Sequence, residues 1–413
     1  MSSQSNEFAM AAKESSNAFH ISPTHTEHAW TKSKDIHGKE RVVKSAQQVV
    51  INQRRRTSIL PSDNVIPEGG ALKGSTVYSD WTLPSTTHVY NKAVLEFTIQ
   101  NEHASSLVHF PTAHLIDHIE VFSGSTCIEY ITRHQLYLET SGFIDNAEFS
   151  NKASDLGETT SHGPATGIVS QASTTLRMRI NSVLDSCGGL FVSGFRDSIK
   201  FRVHWSANAN STPATQNKFT LKAAQLYLTE LILPDHQFQS QMKVHRNNTA
   251  SYRCVVRNQQ DTSIAVSSTT ASNITLNGLR GLTACLFVCV QPNNHPSPQT
   301  YEALSDLMLK QSDGTRMTEL MTSSYILKDV AVDLVKNTNF FNSTGKGFYP
   351  IPFAIAAVDS IKGGIMTGYS VMDSKERLEV RTAANGENRT VFILQYSYAT
   401  LACIKGRLEV SRT

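Results

Sequence analysis

Apolar and polar side chains alternate with a period of two along much of this chain. In "AVLEFTIQ", Leu95, Phe97 and Ile99 point one way while Glu96 and Thr98 point the other. "TLRMRI" sets Leu176, Met178 and Ile180 against Arg177 and Arg179. "SIKFRVHW" sets Ile199, Phe201, Val203 and Trp205 against Lys200, Arg202 and His204. This is the pattern of half-buried strands in antiparallel sheets with one wet face. Turn pairs such as Ser123-Gly124, Asp313-Gly314 and Asn385-Gly386 separate the strands. Short helices are expected at residues 133–140, 235–246 and 321–335, the middle one following Pro234. Strands and helices do not alternate regularly, so a parallel α/β fold is excluded.

The pattern also repeats itself. "LDSCGGLFVSGFRDSIKFRV" (184–203) is answered about 175 residues later by "VDSIKGGIMTGYSVMDSKERLEV" (358–380). In both, an Asp-Ser pair precedes a Gly-Gly pair, an apolar pair, a glycine with an aromatic, a second Asp-Ser and an alternating strand. Asp185-Ser186, Gly188-Gly189, Gly194-Phe195 and Asp197-Ser198 correspond to Asp359-Ser360, Gly363-Gly364, Gly368-Tyr369 and Asp373-Ser374. A weaker echo links "FSGSTCIEYI" (122–131) to "SDGTRMTELM" (312–321), with Gly124 and Gly314 separated by 190 residues. Each echo of the first kind is followed by one more strand, "KFTLKAAQLYLTELIL" (218–233) and "TVFILQYSYATLACI" (390–404). A repeat at long period marks a copied structural unit. A chain of 413 residues is also too long for one ordinary core.

The expected fold is therefore all-β, with two tandem eight-stranded jelly rolls, short helices and an N-terminal arm. The expected division is an arm over 1–78, a first roll over 79–234, a linker helix over 235–246, a second roll over 247–405 and a tail over 406–413. The arm stands apart by composition. Its apolar residues are scattered, and residues 31–60 carry a local charge of +6 in a chain whose net charge is only +3. That basic stretch ends in Arg54, Arg55 and Arg56, candidates for contact with a polyanion or a neighbouring chain. No apolar segment follows the polar opening "MSSQSNEF", so no secretory signal is expected. The longest apolar runs, such as "ACLFVCV" (284–290), fall far short of a bilayer span. Six sparse cysteines without a CxxC spacing read as reduced, buried or half-buried thiols.

Candidate chemistry is thin. No HxH of a cupin metal site and no GxSxG occurs. His118-Ile119-Glu120 supplies two members of a two-His-one-carboxylate set, since alternation puts both side chains on one face. A third ligand would have to be His162 or His204, neither persuasively placed. His114 and His118 would share a metal only on a helix, and the stretch reads as strand. "HTEH" (25–28) lacks further ligands nearby. "NSTGKG" (342–347) lacks the first glycine of a phosphate loop, and "SSYILK" (323–328) has no supporting motif. No catalysis, metal or cofactor is expected.

The order of elements resembles the double jelly-roll major capsid proteins of tailless icosahedral viruses, the tectivirus, adenovirus, virophage and polinton-like lineage. The resemblance covers roughly residues 75–405. It rests on "SDWTLPS" (79–85), "AVLEFTIQN", "LIDHIEVFSGSTCIEYITRHQLYLE" (115–139), the paired "DS…GG…G…DS" modules and the Gln/Arg-containing arm. The short loops depart from the larger members and argue against tall surface towers. The resemblance implies a homotrimer of six rolls forming a pseudo-hexagonal capsomer. It further implies a place in the virion capsid after assembly inside the host cell, neighbouring capsomers and a penton protein as partners, and an arm reaching genome, internal membrane or a neighbouring subunit. Alternative readings are a two-domain β-sandwich attachment protein, a bicupin-like metalloenzyme, and a single-roll capsid protein with a protruding domain.

Overall fold

The computed structural model describes residues 32–34, 40–42, 53–59, 78–109, 111–162, 165–187, 189–206, 219–247, 249–264, 271–293, 301–334, 340–341, 347–354, 358, 361, 370–382 and 388–412. A short antiparallel pair comes first, β1 (Lys32–Lys34) with β2 (Glu40–Val42). The first roll begins with β3 (Gln53–Ile59), β4 (Tyr78–Thr82), β5 (Val89–Asn101), β6 (Leu107–His109), β7 (Ile116–Ser123) and β8 (Thr126–Thr132). It continues through β9 (Ala165–Ile168), β10 (Ser173–Ile180), β11 (Leu190–Phe191) and β12 (Ile199–Trp205) to β13 (Phe219–Ile232). One sheet has the order β10-β5-β13-β3, with β11 also on β5, and the facing sheet has the order β4-β12-β7-β8.

Helix Asp235–Asn247 leads into the second roll. Its strands are β14 (Thr249–Ile264), β15 (Ser272–Thr275), β16 (Arg280–Pro292), β17 (Leu304–Lys310), β18 (Met321–Thr322), β19 (Tyr349–Pro352), β20 (Ser370–Asp373), β21 (Arg377–Thr382) and β22 (Arg389–Ile404). Their sheets run β19-β16-β22-β14, with β20 also on β16, and β15-β21-β17-β18. Every strand of the first roll's two main sheets thus has a counterpart in the second, in the same chain order and with the same neighbours. This is the double jelly roll, and the hairpin of the weaker echo lies at equivalent places in the two copies. The weaker echo is the hairpin β7–β8 against β17–β18, with Gly124 and Gly314 both at positive φ in the turn. In the stronger echo the second Asp-Ser pair precedes the counterparts β12 and β21, but β20 begins after the Ile365-Met366 pair that answers β11 in the sequence, and residues 359–360 and 362–369 lie outside the described chain.

The copy extends to a helix start. Thr132 ends β8 and caps the helix Arg133–Tyr137, which passes into a π-turn at Leu138–Gly142. Thr322, 190 residues on, ends β18 and caps Ser323–Tyr325, followed by a π-turn at Ile326–Val330. In each case the threonine hydroxyl accepts a backbone N–H left without an intrahelical partner. All three expected helices are present at these positions.

Residues 53–59 fall inside the stretch expected to be arm, yet they form edge strand β3, antiparallel to β13. β3 occupies the place in the first roll that β14 occupies in the second. Arg407–Arg412, within the expected tail, forms β23 and closes a hairpin on β22. The remaining arm, apart from β1 and β2, lies outside the described residues, as does "HTEH". Among the described residues, no helix is long and apolar enough to cross a membrane.

Candidate functional site

The two rolls meet along a buried seam, and the sequence shows why one sheet is built for it. On β16, Leu286, Val288 and Val290 face the second roll's own core. The alternate side chains Cys285, Phe287 and Cys289 join a cluster shared with the first roll. Both faces are covered, so the alternation disappears and the strand reads "ACLFVCV". Against this sheet lies the segment that follows β8. Phe143 contacts the rings of Phe287 and Tyr396 at 5.5 and 5.7 Å, and His134 lies 4.1 Å from Phe392. The Tyr301 hydroxyl bonds to His134 Nδ1 at 2.9 Å and His114 Nε2 at 3.3 Å. Burial drives the His134 pKa well below its ordinary value, so the ring is neutral in this pocket.

One ion cluster crosses the seam. Arg257 of β14 reaches Glu139 at 2.5 and 3.1 Å and Glu129 at 2.8 Å, all three side chains being almost fully buried. The second oxygen of Glu129 accepts the Val183 N–H. Burial pushes the Glu129 carboxyl up to about 7, against the pull of Arg257. One guanidinium serves two carboxylates in a dry site, so Glu129 takes up a proton more readily than a solvated glutamate does. Gln135 Nε2 donates to the Asn258 carbonyl, and Thr132 Oγ1 donates to Gln259, completing the polar stitching.

Outside the seam, the β4-β12-β7-β8 sheet carries a row of rings on its outer face. Tyr78, His204, His118 and Tyr130 succeed one another across four strands, with centroids 5.5, 4.0 and 4.4 Å apart. His204 is opposite His118 in the β12–β7 register. Its Nε2 lies 3.0 Å from Glu120 Oε2, and His118 Nδ1 lies 2.7 Å from Asp117 Oδ2. The structure therefore supplies the third member that His118-Ile119-Glu120 lacked. Spacing could not show it, because the partner strand is some eighty residues away.

The other sequence candidates do not converge. His162 is buried, stacked on Phe149 at 3.8 Å and paired with Glu158. His114 sits on a single 3-10 turn, Thr112–Leu115, rather than on the strand expected there. Residues 342–346 of "NSTGKG" are outside the described chain, and "SSYILK" is the capped turn after β18. Arg54, Arg55 and Arg56 lie opposite Leu231, Glu230 and Thr229 in the β3–β13 register. Five cysteines are buried and Cys127 is exposed, all as free thiols.

No family model matches the chain, and no curated protein does. Solved structures do match. VP54 of PBCV-1, a crystal structure fitted into a reconstruction of the virophage Sputnik, aligns with TM-score 0.69 at 12% identity, covering 90% of this chain and 99% of its own. The Faustovirus major capsid protein aligns with TM-score 0.64 at 7% identity, over 91% of this chain and 93% of its own. A chain of the Sputnik virophage gives 0.53 at 10% identity, over 96% and 93%. These likenesses establish the double jelly-roll fold.

Proposed function

We propose that this chain is a viral major capsid protein, a structural and non-catalytic component of the virion shell. The observation that carries the reading is the strand-for-strand duplication locked by a buried seam. A rigid pair of similar rolls lets three chains approximate a hexagon, and the same architecture spans nearly the whole of VP54. Closed three-fold contacts between unlike surfaces satisfy the symmetry. Obligate interfaces of this kind bury more than about 2,000 Å². Neighbouring capsomers and a penton protein are the further partners. The basic stretch over residues 31–60, including Arg54, Arg55 and Arg56, meets a polyanion or a neighbouring subunit, with salt-sensitive attraction.

Among the described residues the attachment-protein reading finds no tryptophan platform, since Trp81 and Trp205 are both fully buried, while Trp30 lies outside the described residues. The single-roll reading conflicts with the two matching sets of sheets. Light scattering and negative-stain imaging of the purified chain test the proposal. The expected result is a particle of three times the 45.5 kDa chain mass, seen as triangular or hexagonal bricks. A chain that stays monomeric at high concentration overturns it. Deleting residues 1–52, and so sparing β3, should leave the folded trimer intact and abolish assembly into shells.

A further inference from the structure

The outer face of the β4-β12-β7-β8 sheet brings two histidines and a glutamate close together. We propose that His118, Glu120 and His204 bind one zinc ion, which staples β7 to β12. One donor atom from each residue lies within 4.8 Å of the others, and the nearest pair, His204 Nε2 and Glu120 Oε2, is 3.0 Å apart. Zinc bonds of about 2.0–2.2 Å place tetrahedral donors about 3.4 Å apart, between those limits. Side-chain rotation alone therefore closes the site, and the ion takes the place of the hydrogen shared by His204 and Glu120.

The surroundings are arranged for it. Asp117 holds Nδ1 of His118, which orients the ring and leaves Nε2 for the metal, as carboxylates behind ligating histidines do. The two imidazoles are stacked 4.0 Å apart and within 19° of parallel, so one ring must rotate for both in-plane lone pairs to meet at the ion. The neighbouring Arg202 on the same strand as His204 is committed elsewhere. Arg202 forks onto Asp80 at 2.7 and 2.8 Å and lies 4.1 Å over the Tyr78 ring. Lys200 also pairs with Asp80, at 3.2 Å. The three ligand side chains are 13%, 21% and 14% exposed, open enough to admit an ion yet largely shielded by Tyr78 and Tyr130. Water completes the fourth position, as at three-ligand zinc sites.

Calorimetric titration of the full chain with zinc, and the absorption spectrum of the cobalt-substituted protein, test the site. One zinc per chain is expected, with a cobalt spectrum of four-coordinate intensity. His204→Ala and Glu120→Gln should each weaken zinc at least about a hundredfold, and Asp117→Asn about tenfold. His103→Ala, at a half-buried histidine outside the cluster, should leave binding unchanged. A wild-type chain that takes up no stoichiometric zinc overturns the proposal. So does equal binding by a folded His118→Ala/His204→Ala chain, which would place the ion elsewhere.

Discussion

Strands β5 and β16 occupy the same place in the two rolls, yet they are solvated differently. β5 keeps its alternation: Leu95, Phe97 and Ile99 are buried while Val94, Glu96, Thr98 and Gln100 are half-exposed. β16 is buried at every position from Ala284 to Pro292. The duplicated fold is thus symmetric in its strand order and asymmetric in its use. Only the second roll spends the outer face of this sheet on its sibling. The lesson is that a copied unit diverges where packing differs, and that strand pairing is preserved because it follows from the backbone.

The sharpest way to break this contrast is to remove the seam's cation. Arg257→Ala strands Glu129 and Glu139 in a dry site and should cost about 3–5 kcal/mol, read as a large loss of Tm or of soluble chain. A smaller effect is expected at the linker helix. A Cβ on Gly194 would sit 2.5 Å from His245 Cβ, so Gly194→Ala should cost about 1–3 kcal/mol in chemical denaturation.

Acidity probes the seam more gently. Glu129 holds its proton more tightly folded, at about 7, than at its ordinary 4.5. Its contribution to stability is fully present below about 4.5 and is lost as pH rises through about 7. Glu129→Gln should flatten that fall, and the difference between the two Tm-against-pH curves isolates it. The smallest effect belongs to the wet face of the first roll. Arg177, 49% exposed and paired with Glu96 across β10 and β5, should cost only about 0–1 kcal/mol as Arg177→Ala. A loss as large as that at Arg257 would show that the first roll's sheet is not solvated as described.

Much of this was legible in the residues. Alternation located β5, β10 and β12, turn glycines marked the β7–β8 and β17–β18 hairpins, and the spaced echoes disclosed the copying of a whole roll. Edge strand β3 was not legible, because "QRRRTSI" carries no apolar alternation. Charged residues are what an unpaired sheet edge tolerates, and they look the same in a solvated tail. "ACLFVCV" was visible as too short for a bilayer, but not as a strand covered on both sides.

The sequence by itself determined the alternating strands such as β5, β10 and β12, the all-β class, and that a unit occurs twice, since side-chain periodicity and turn chemistry act over a few neighbouring residues. Tertiary structure alone decided that Arg257 meets Glu129 and Glu139, and that His204 stands beside His118. Those contacts join positions more than eighty residues apart, and only sheet register and the docking of one roll on the other bring them within reach.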